Sequence, residues 1–318
     1  MRTTRIVIVN YRTAGLVIDC LHSLKNEIRS EPDCRVIVVD NASGDHSCET
    51  IRTVIRAAGW TWAEVVSADR NGGFAYGNNY AIQQILQSNT PPDYIHLLNP
   101  DTYIREGAVT SLIDFMEANP RVGIAGSRLE NPDGSPQRAA FNFHGILSEF
   151  ERGIRIGLIS RMLRPWMVAP PPRTTAHKTD WVSGASMIIR KKVFDAIGLM
   201  DDGFFLYYEE TDFCRRAWKA GWPCWFVPTS RVVHLEGQST GMSTLKLKAK
   251  RLPNYWFASR HRYFSKHHGH GYELVVNTIH AASFAAWRFR QWLHYKDDDD
   301  PPYYLKDFVA KALLKSCS

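Results

Sequence analysis

Three short apolar runs, each breaking off into a polar turn, limit what this chain can fold into. Arg5-Ile6-Val7-Ile8-Val9 ends in Asn10-Tyr11-Arg12-Thr13. Residues 35–39 end in Asp40-Asn41-Ala42-Ser43-Gly44-Asp45, and Ile95-His96-Leu97-Leu98 ends in Asn99-Pro100-Asp101. Runs of this kind read as strands buried on both faces of a parallel sheet. Proline has no N–H to give to a ladder, so Asn99-Pro100 stops the third run and leaves Asp101 just past its carboxyl end. After the first run, Val17, Cys20, Leu21, Leu24 and Ile28 recur at helical spacing. Further strands at 64–67 and 122–126, and helices at about 48–58 and 107–118, continue the alternation. Strand followed by helix, repeated, predicts an α/β fold with a mostly parallel central sheet. Ligands of such sheets sit at the carboxyl edge, where all these polar turns would lie.

The regular pattern fails over about 138–180, a long excursion holding Gly153, Gly157 and Pro170-Pro171-Pro172, with one helix expected near 147–163. It resumes at Trp181-Val182-Ser183-Gly184-Ala185. A helix is expected over about 210–220, ended by Gly221, and short strands at 224–227 and 231–234. Beyond 243 the chain reads as a mainly helical extension, which divides it into 1–242 and 243–318. The extension is basic. Ten Lys/Arg fall between Lys246 and Lys296 against one acid, Glu273, out of a net charge of +7 for all 318 residues. Such a block suits an anionic partner or a solvated helical face equally. Residues 272–293, with Leu274, Val275, Ile279, Phe284, Trp287 and Trp292 beside Arg288 and Arg290, would either lie on a membrane surface or pack on the core. Asp297 to Asp300 reads as a solvated charge run.

The six cysteines show no C-x-x-C spacing, no secretory leader reads from the start, and no run reaches 18 uninterrupted apolar residues. These features predict a cytoplasmic protein, held at most peripherally on the inner face of a membrane.

Four groups of residues carry chemistry. Asp40, after a buried strand, can accept the N–H of a pyrimidine ring or simply cap its turn. Asn71-Gly72-Gly73-Phe74-Ala75-Tyr76-Gly77-Asn78-Asn79 is neither G-x-G-x-x-G nor a P-loop. Its glycines still open a helix whose N–H groups can face phosphate. Tyr208-Glu209-Glu210-Thr211-Asp212 sets three carboxylates behind a bulky run, Phe204 to Tyr208. Apolar surroundings raise a carboxyl pKa toward that of a general base, while acids at a helix start also complement its dipole. His234 ends a strand and is either structural or a metal ligand.

Taken in order, these motifs resemble the family 2 glycosyltransferases of the GT-A fold, and among them the rhamnosyltransferase-like and galactofuranosyltransferase-like members. The likeness rests on Val7-Ile8-Val9-Asn10-Tyr11, Val39-Asp40-Asn41-Ala42-Ser43, the glycine loop, Leu98-Asn99-Pro100-Asp101, Ser183-Gly184-Ala185 and Tyr208-Glu209-Glu210-x-Asp212, across about residues 3 to 240. It implies a metal-dependent, inverting transfer from a nucleotide-diphosphate sugar to a glycan or lipid-linked acceptor in cell-surface polysaccharide synthesis. The favoured donor is dTDP-rhamnose, with UDP-sugars next, and nucleic acid is not an expected partner.

By the same resemblance, Asn10, Tyr11, Asp40, Asn41, Asn71, Gly72, Gly73 and Asn99 would hold the donor. Trp181 and Gly184 would lie on the acceptor side. Asp101 and His234 would ligate Mg²⁺ or Mn²⁺. Glu210 would be the base, with Asp212 second and Glu209 a weak third. Two departures matter. Asn99 stands where the family carries the first Asp of D-x-D, and the base is Glu instead of Asp. A non-catalytic nucleotide-sugar-binding protein and a nucleotidyltransferase are the competing expectations.

Overall fold

The computed structural model describes residues 2–235, 250–294 and 300–313. The expected boundary at 242/243, Lys246, Lys248, Lys296, Asp297 to Asp299 and Cys317 lie outside the described residues. The first half of the chain runs β1 (Thr4–Asn10), α1 (Ala14–Ser30), β2 (Cys34–Asp40), α2 (Ser47–Ala57), β3 (Ala63–Ser67), α3 (Gly73–Gln87), β4 (Tyr94–Leu98), β5 (Thr102–Ile104), α4 (Ala108–Ala118) and β6 (Ile124–Glu130). The excursion holds β7 (Ala140–Phe141), α5 (Ile146–Ile154), α6 (Gly157–Met162), a 3₁₀ turn (Arg164–Trp166) and β8 (His177–Thr179). Then follow β9 (Trp181–Val182), β10 (Ser186–Arg190), α7 (Lys191–Ile197), α8 (Glu209–Lys219), β11 (Cys224–His234), α9 (Asn254–His268), α10 (His270–Leu293) and α11 (Tyr304–Phe308), with a π-helical turn to Leu313.

The main sheet has the order β3-β2-β1-β4-β10-β6-β11-β5, and β8 also pairs with β11. The neighbours β3-β2-β1-β4 and β6-β11 are parallel, while β10, β5 and β8 run antiparallel. Alternation in β1 explains the two cores. Ile6 and Ile8 face α1 and α4, whereas Val7 packs with Val39, Leu97 and Phe213 on the α3 and α8 side. Burial on both faces is why these strands read as continuous apolar runs.

Two expected boundaries change. The segments 224–227 and 231–234 form one strand, β11, whose register to β6 shifts between Val227 and Arg231. Pro228 lies inside the bulge, so the sequence gap marks a proline bulge within a strand and not its end. The single helix expected at 147–163 is two, because Arg155 takes φ +48° and breaks α5 from α6.

The basic C-terminal residues are mostly paired internally. Arg260 is fully buried and ion-pairs with buried Glu149 at 3.0 Å. Arg262 and Lys266 hold Asp201 at 2.7 and 2.6 Å, Arg251 holds Asp307 at 2.7 Å, and Arg290 donates to the Arg155 carbonyl at 3.0 Å. A sequence counts these charges without their partners, which come from 149, 155, 201 and 307. Residues 272–293 likewise pack on the core along one face, through Val276, His280 and Phe284. The approach of α10 to α5 is so close that a β-carbon on Gly153 would lie 2.0 Å from Ser283 Oγ. No helix of the described residues is long and apolar enough to cross a membrane.

Candidate active site

Sheet register gathers the polar turns. Asn10 pairs with Asp40 at the ends of β1 and β2. Ser186 of β10 faces Leu98 of β4, so the preceding Ser183-Gly184-Ala185 lies at the same edge. His234 faces Thr102 across β11 and β5.

At one end of this edge, Asp40 is braced. Its carboxylate accepts from Asn10 Nδ2 at 2.7 Å, Ser43 Oγ at 2.6 Å and the Ser43 N–H at 3.1 Å. Arg12 donates from Nε to the Ser43 carbonyl at 2.8 Å. The turn-capping arrangement is therefore realised, and Asn10, fully buried, serves as a bracket for Asp40. Tyr11 is 37% exposed, with its ring open at the edge. Asn41 joins this turn to the glycine loop: its amide donates to Asn71 Oδ1 and to the Gly73 carbonyl, both at 3.0 Å. Asn71 Oδ1 in turn accepts the Gly73 N–H at 3.1 Å. The next Cα, Gly72, lies against the Tyr76 ring. Arg70, the basic residue beside the loop, stacks over that same ring at 4.8 Å.

In the middle, Asp101 and His234 meet although 132 residues separate them. Asp101 is 2% exposed, and its Oδ1 lies 3.5 Å from His234 Nε2. The Leu235 N–H donates to the Asp101 carbonyl at 2.9 Å, which fixes the pair. The Asn99 side chain approaches the same imidazole nitrogen at 3.5 Å. An oxygen and a nitrogen at this spacing can both reach one divalent ion, which takes such ligands at about 2.0–2.2 Å. The donor set fits a hard or borderline cation. With one carboxylate among the described residues, the pair leaves coordination positions for phosphate oxygens.

At the other end stand the acids. Tyr207 and Tyr208 both take φ +70°, a left-handed conformation that side chains rarely adopt. Such strain, about 1–3 kcal/mol per residue, clusters at functional sites. It turns the chain abruptly into α8, so that Glu209 and Glu210 open the helix. Glu209 is 3% exposed. Glu210 is half-buried and forms part of the wall of a cavity of about 380 Å³. Burial raises both carboxyls above their ordinary range, and the neighbouring Glu210 charge pushes Glu209 further. Backbone N–H groups of Glu210 and Gly184 draw Glu210 part of the way back. Gly184 thus faces the acid, while the carbonyl of the next residue, Ala185, accepts the Asn99 N–H at 3.0 Å. One tripeptide bridges the acid and the Asp101 turn.

Asp212 must be set apart from this pair. Burial alone would raise it, but His267 at 2.8 Å, Lys266 at 2.7 Å and Arg216 at 2.9 Å outweigh burial and hold it well below the usual carboxylate range. A carboxylate so occupied is a poor proton acceptor. The correction has a simple cause: residue 212 lies two places beyond 210, about 200° around a helix, and faces α9.

The cavity brings residues that the sequence singled out together with others that it did not. Trp181, expected on the acceptor side, stacks on Phe141 at 4.1 Å and lines it together with Tyr207, Tyr208, Trp256 and Arg152. Arg152 and Trp256 come from an irregular excursion and a distant helix, so no local spacing could have found them. The doubled tyrosine before Glu209 was the one local signal.

A half-parallel sheet with a braced aspartate, a glycine loop and an acid pair at its carboxyl edge defines the GT-A class of nucleotide-diphospho-sugar transferase folds. The crystal structure of GalNAc-T7 with UDP, GalNAc and Mn²⁺ has this fold, with a TM-score of 0.59 and 17% identity, covering 99% of this chain and 57% of that one. Residues 5–198 match the Glycosyl transferase family 2 profile, and the chain belongs to that family. The match ends before Glu209. Among curated relatives, the N-acetylglucosaminyl-diphospho-decaprenol L-rhamnosyltransferase of Mycobacterium tuberculosis is 29% identical over 181 residues, 53% of this chain and 56% of that protein. The dTDP-rhamnosyl transferase RfbF of Shigella flexneri is 23% identical over 220 residues, 69% of this chain and 66% of that protein. The chain thus spans little more than half the length of the mycobacterial relative.

Proposed function

We propose that this chain is an inverting glycosyltransferase. It moves a sugar, rhamnose from dTDP-rhamnose as the first choice, to a hydroxyl of a glycan or lipid-linked acceptor in cell-surface polysaccharide synthesis. The names of the mycobacterial and Shigella relatives support the sugar. The observation that carries the reading is the Ser183-Gly184-Ala185 bridge, with Glu210 at one side and the Asp101 turn at the other. A displacement at a single carbon would use a base and a cation close together, and this segment bonds to Glu210 on one side and to Asn99 of the Asp101 turn on the other.

In this reading Asp40 and Tyr11 take the nucleobase, and Asn71 with the glycine N–H groups borders the diphosphate and sugar. Asp101 and His234, with Asn99 beside them, would hold Mg²⁺ or Mn²⁺, which supplies positive charge to the departing diphosphate. Glu210 accepts the acceptor hydroxyl proton. The acceptor oxygen bonds to C1 of the sugar as the bond from C1 to phosphate breaks on the opposite face, and the nucleoside diphosphate leaves. Glu209, buried behind Glu210, is itself pushed up by burial and by its neighbour's charge, and in this reading it does not touch substrate. The helices beyond 243 support the acid loop: Ser259 donates to the Leu206 carbonyl at 2.9 Å, and Arg260 donates to the Tyr208 hydroxyl at 3.4 Å.

In the same reading, peripheral membrane contact would fall on the end of α10 together with α6. Phe289, Trp292 and Leu293 at the end of α10 are 61%, 70% and 52% exposed. Leu158 and Met162 of α6 are 68% and 70% exposed. The Arg290 bonds to the carbonyls ending α5 bring these two surfaces near each other, and Arg161 and Arg164 flank them. Apolar side chains rimmed by arginine suit an anionic bilayer surface.

Thermal melts with a panel of nucleoside diphosphates and Mn²⁺, followed by a transfer assay with the best-bound donor, test the proposal. A rise in melting temperature with dTDP above all others is expected. No rise with any nucleoside diphosphate would refute a nucleotide-sugar enzyme.

A further inference from the structure

Four of the chain's 12 histidines, His261, His267, His268 and His270, fall within ten residues on α9 and α10. A short histidine-rich tract is a compositional sign of metal binding. The fold sorts the four. His267 is engaged by Asp212 at 2.8 Å, and the His268 ring stacks on Tyr272 at 4.3 Å. His261 and His270 are brought together instead. Gly269, at φ +82°, turns α9 directly into α10. His261 and Ser265 stand four apart on α9, and His270 and Glu273 stand three apart on α10, so each pair shares one helix face. The two faces meet around the Glu273 carboxylate, which is fully buried.

His261 Nδ1 lies 2.8 Å from Glu273 Oε1, and His270 Nδ1 lies 3.6 Å from Oε2. Ser265 Oγ donates to Oε2 at 2.6 Å and stands 3.4 and 3.3 Å from the His261 and His270 nitrogens. The two nitrogens and the carboxylate oxygen fall within 4.8 Å of one another. A tetrahedral Zn²⁺ with bonds of about 2.0–2.2 Å sets its ligands about 3.4 Å apart, and the separations here bracket that edge. Ser265 occupies the fourth corner, where its hydroxyl or a water held by it completes the shell. We infer that His261, His270 and Glu273 form a Zn²⁺ site, separate from the Asp101 and His234 pair. Two imidazoles with one carboxylate suit Zn²⁺, whereas Mg²⁺ and Mn²⁺ favour oxygen-rich sets. The ion ties α10 to α9, whose Ser259 and Arg260 hold the acid loop. This site goes beyond the transfer reading and does not depend on it.

Zn²⁺ itself is the probe, titrated by calorimetry into the full chain after chelation. Asp101→Ala and His234→Ala are introduced together first, so that the other pair takes no ion. In that background one Zn²⁺ per chain is expected to bind. Adding His261→Ala or His270→Ala should weaken it at least about tenfold, since even supporting groups of a metal site are worth that much. His270 is 71% exposed, so its removal takes away a ligand without opening the core. His268→Gln, in the same tract, should leave the affinity unchanged. Co²⁺ in place of Zn²⁺ should give the visible absorption of a four-coordinate ion, and His270→Ala should abolish it. No Zn²⁺ binding in the Asp101 and His234 background, or binding that survives intact in both the His261 and the His270 variants, would show a hydrogen-bonded cluster only and overturn the inference. Loss of binding in His268→Gln with no loss in His270→Ala would overturn it too, by moving the ion elsewhere in the tract.

Discussion

A β-carbon on Gly73 would lie 1.7 Å from the Phe205 carbonyl oxygen, and the Phe74 N–H donates to that same oxygen at 3.0 Å. The glycine loop and the loop leading to the acid pair are therefore in backbone contact, and these two parts of the edge cannot shift independently.

Gly73 also takes φ +84°. Gly73→Ala should then cost about 1–3 kcal/mol from overpacking alone. Chemical denaturation will show the loss, and calorimetry should show weaker nucleotide binding as the two loops are forced apart. A neutral effect on both would mean that the loops are not held together.

Glu210→Gln is expected to lower kcat by about 10²–10⁴-fold, the usual contribution of a positioned general base, with nucleotide binding unchanged. Because burial raises Glu210 above the ordinary glutamate value of 4.5, the acid limb of kcat/KM should fall above that value. A rate–pH profile that stays flat down to pH 4.5 would exclude Glu210 as the base.

Asp101→Ala and His234→Ala should each raise the Mn²⁺ concentration needed for half-maximal activity by about 10–100-fold or more, the range seen when even supporting groups of a metal site are lost. Asn99→Asp, which restores a second carboxylate, is expected to lower it. Titration of Mn²⁺ and Mg²⁺ after chelation measures all three, and full activity in chelator would argue against any metal.

Glu209 predicts a pH-dependent stability. Its folded pKa lies well above the model-peptide value of 4.5. The unfolded chain therefore ionises first as pH rises, and the native state loses stability between 4.5 and the folded value. Glu209→Gln removes this loss, so the variant should melt higher than the parent at neutral pH and no higher at pH 4. Identical differences at both pH values would show that Glu209 is not held neutral by burial.

Arg260→Met leaves Glu149 buried without its main partner. Breaking a buried pair from one side costs about 3–5 kcal/mol. Urea unfolding should show that loss. Because Arg260 also reaches the Tyr208 hydroxyl, kcat should drop even at temperatures where the variant is fully folded. The double change Glu149→Gln with Arg260→Met is expected to recover part of the stability.

The sequence alone determined the alternation of strand and helix and the residues at each strand end. Both are local properties: periodicity in Arg5 to Val9 or Val17 to Ile28 needs no partner to be read, and the Asn99-Pro100 step marks the end of β4 by its missing N–H. The Glu209-Glu210 step was legible for the same reason. Tertiary structure alone decided which of those polar residues meet. His234 comes to Asp101 because β11 pairs with β5 in one register, and a one-residue slip would turn the imidazole away. Asp212 stood second to Glu210 as a candidate base, and helix geometry turns it toward Lys266 and His267. The basic block read as a free surface because a sequence shows charges without distances. Glu149 and Asp201, far away in the chain, neutralise Arg260 and Arg262.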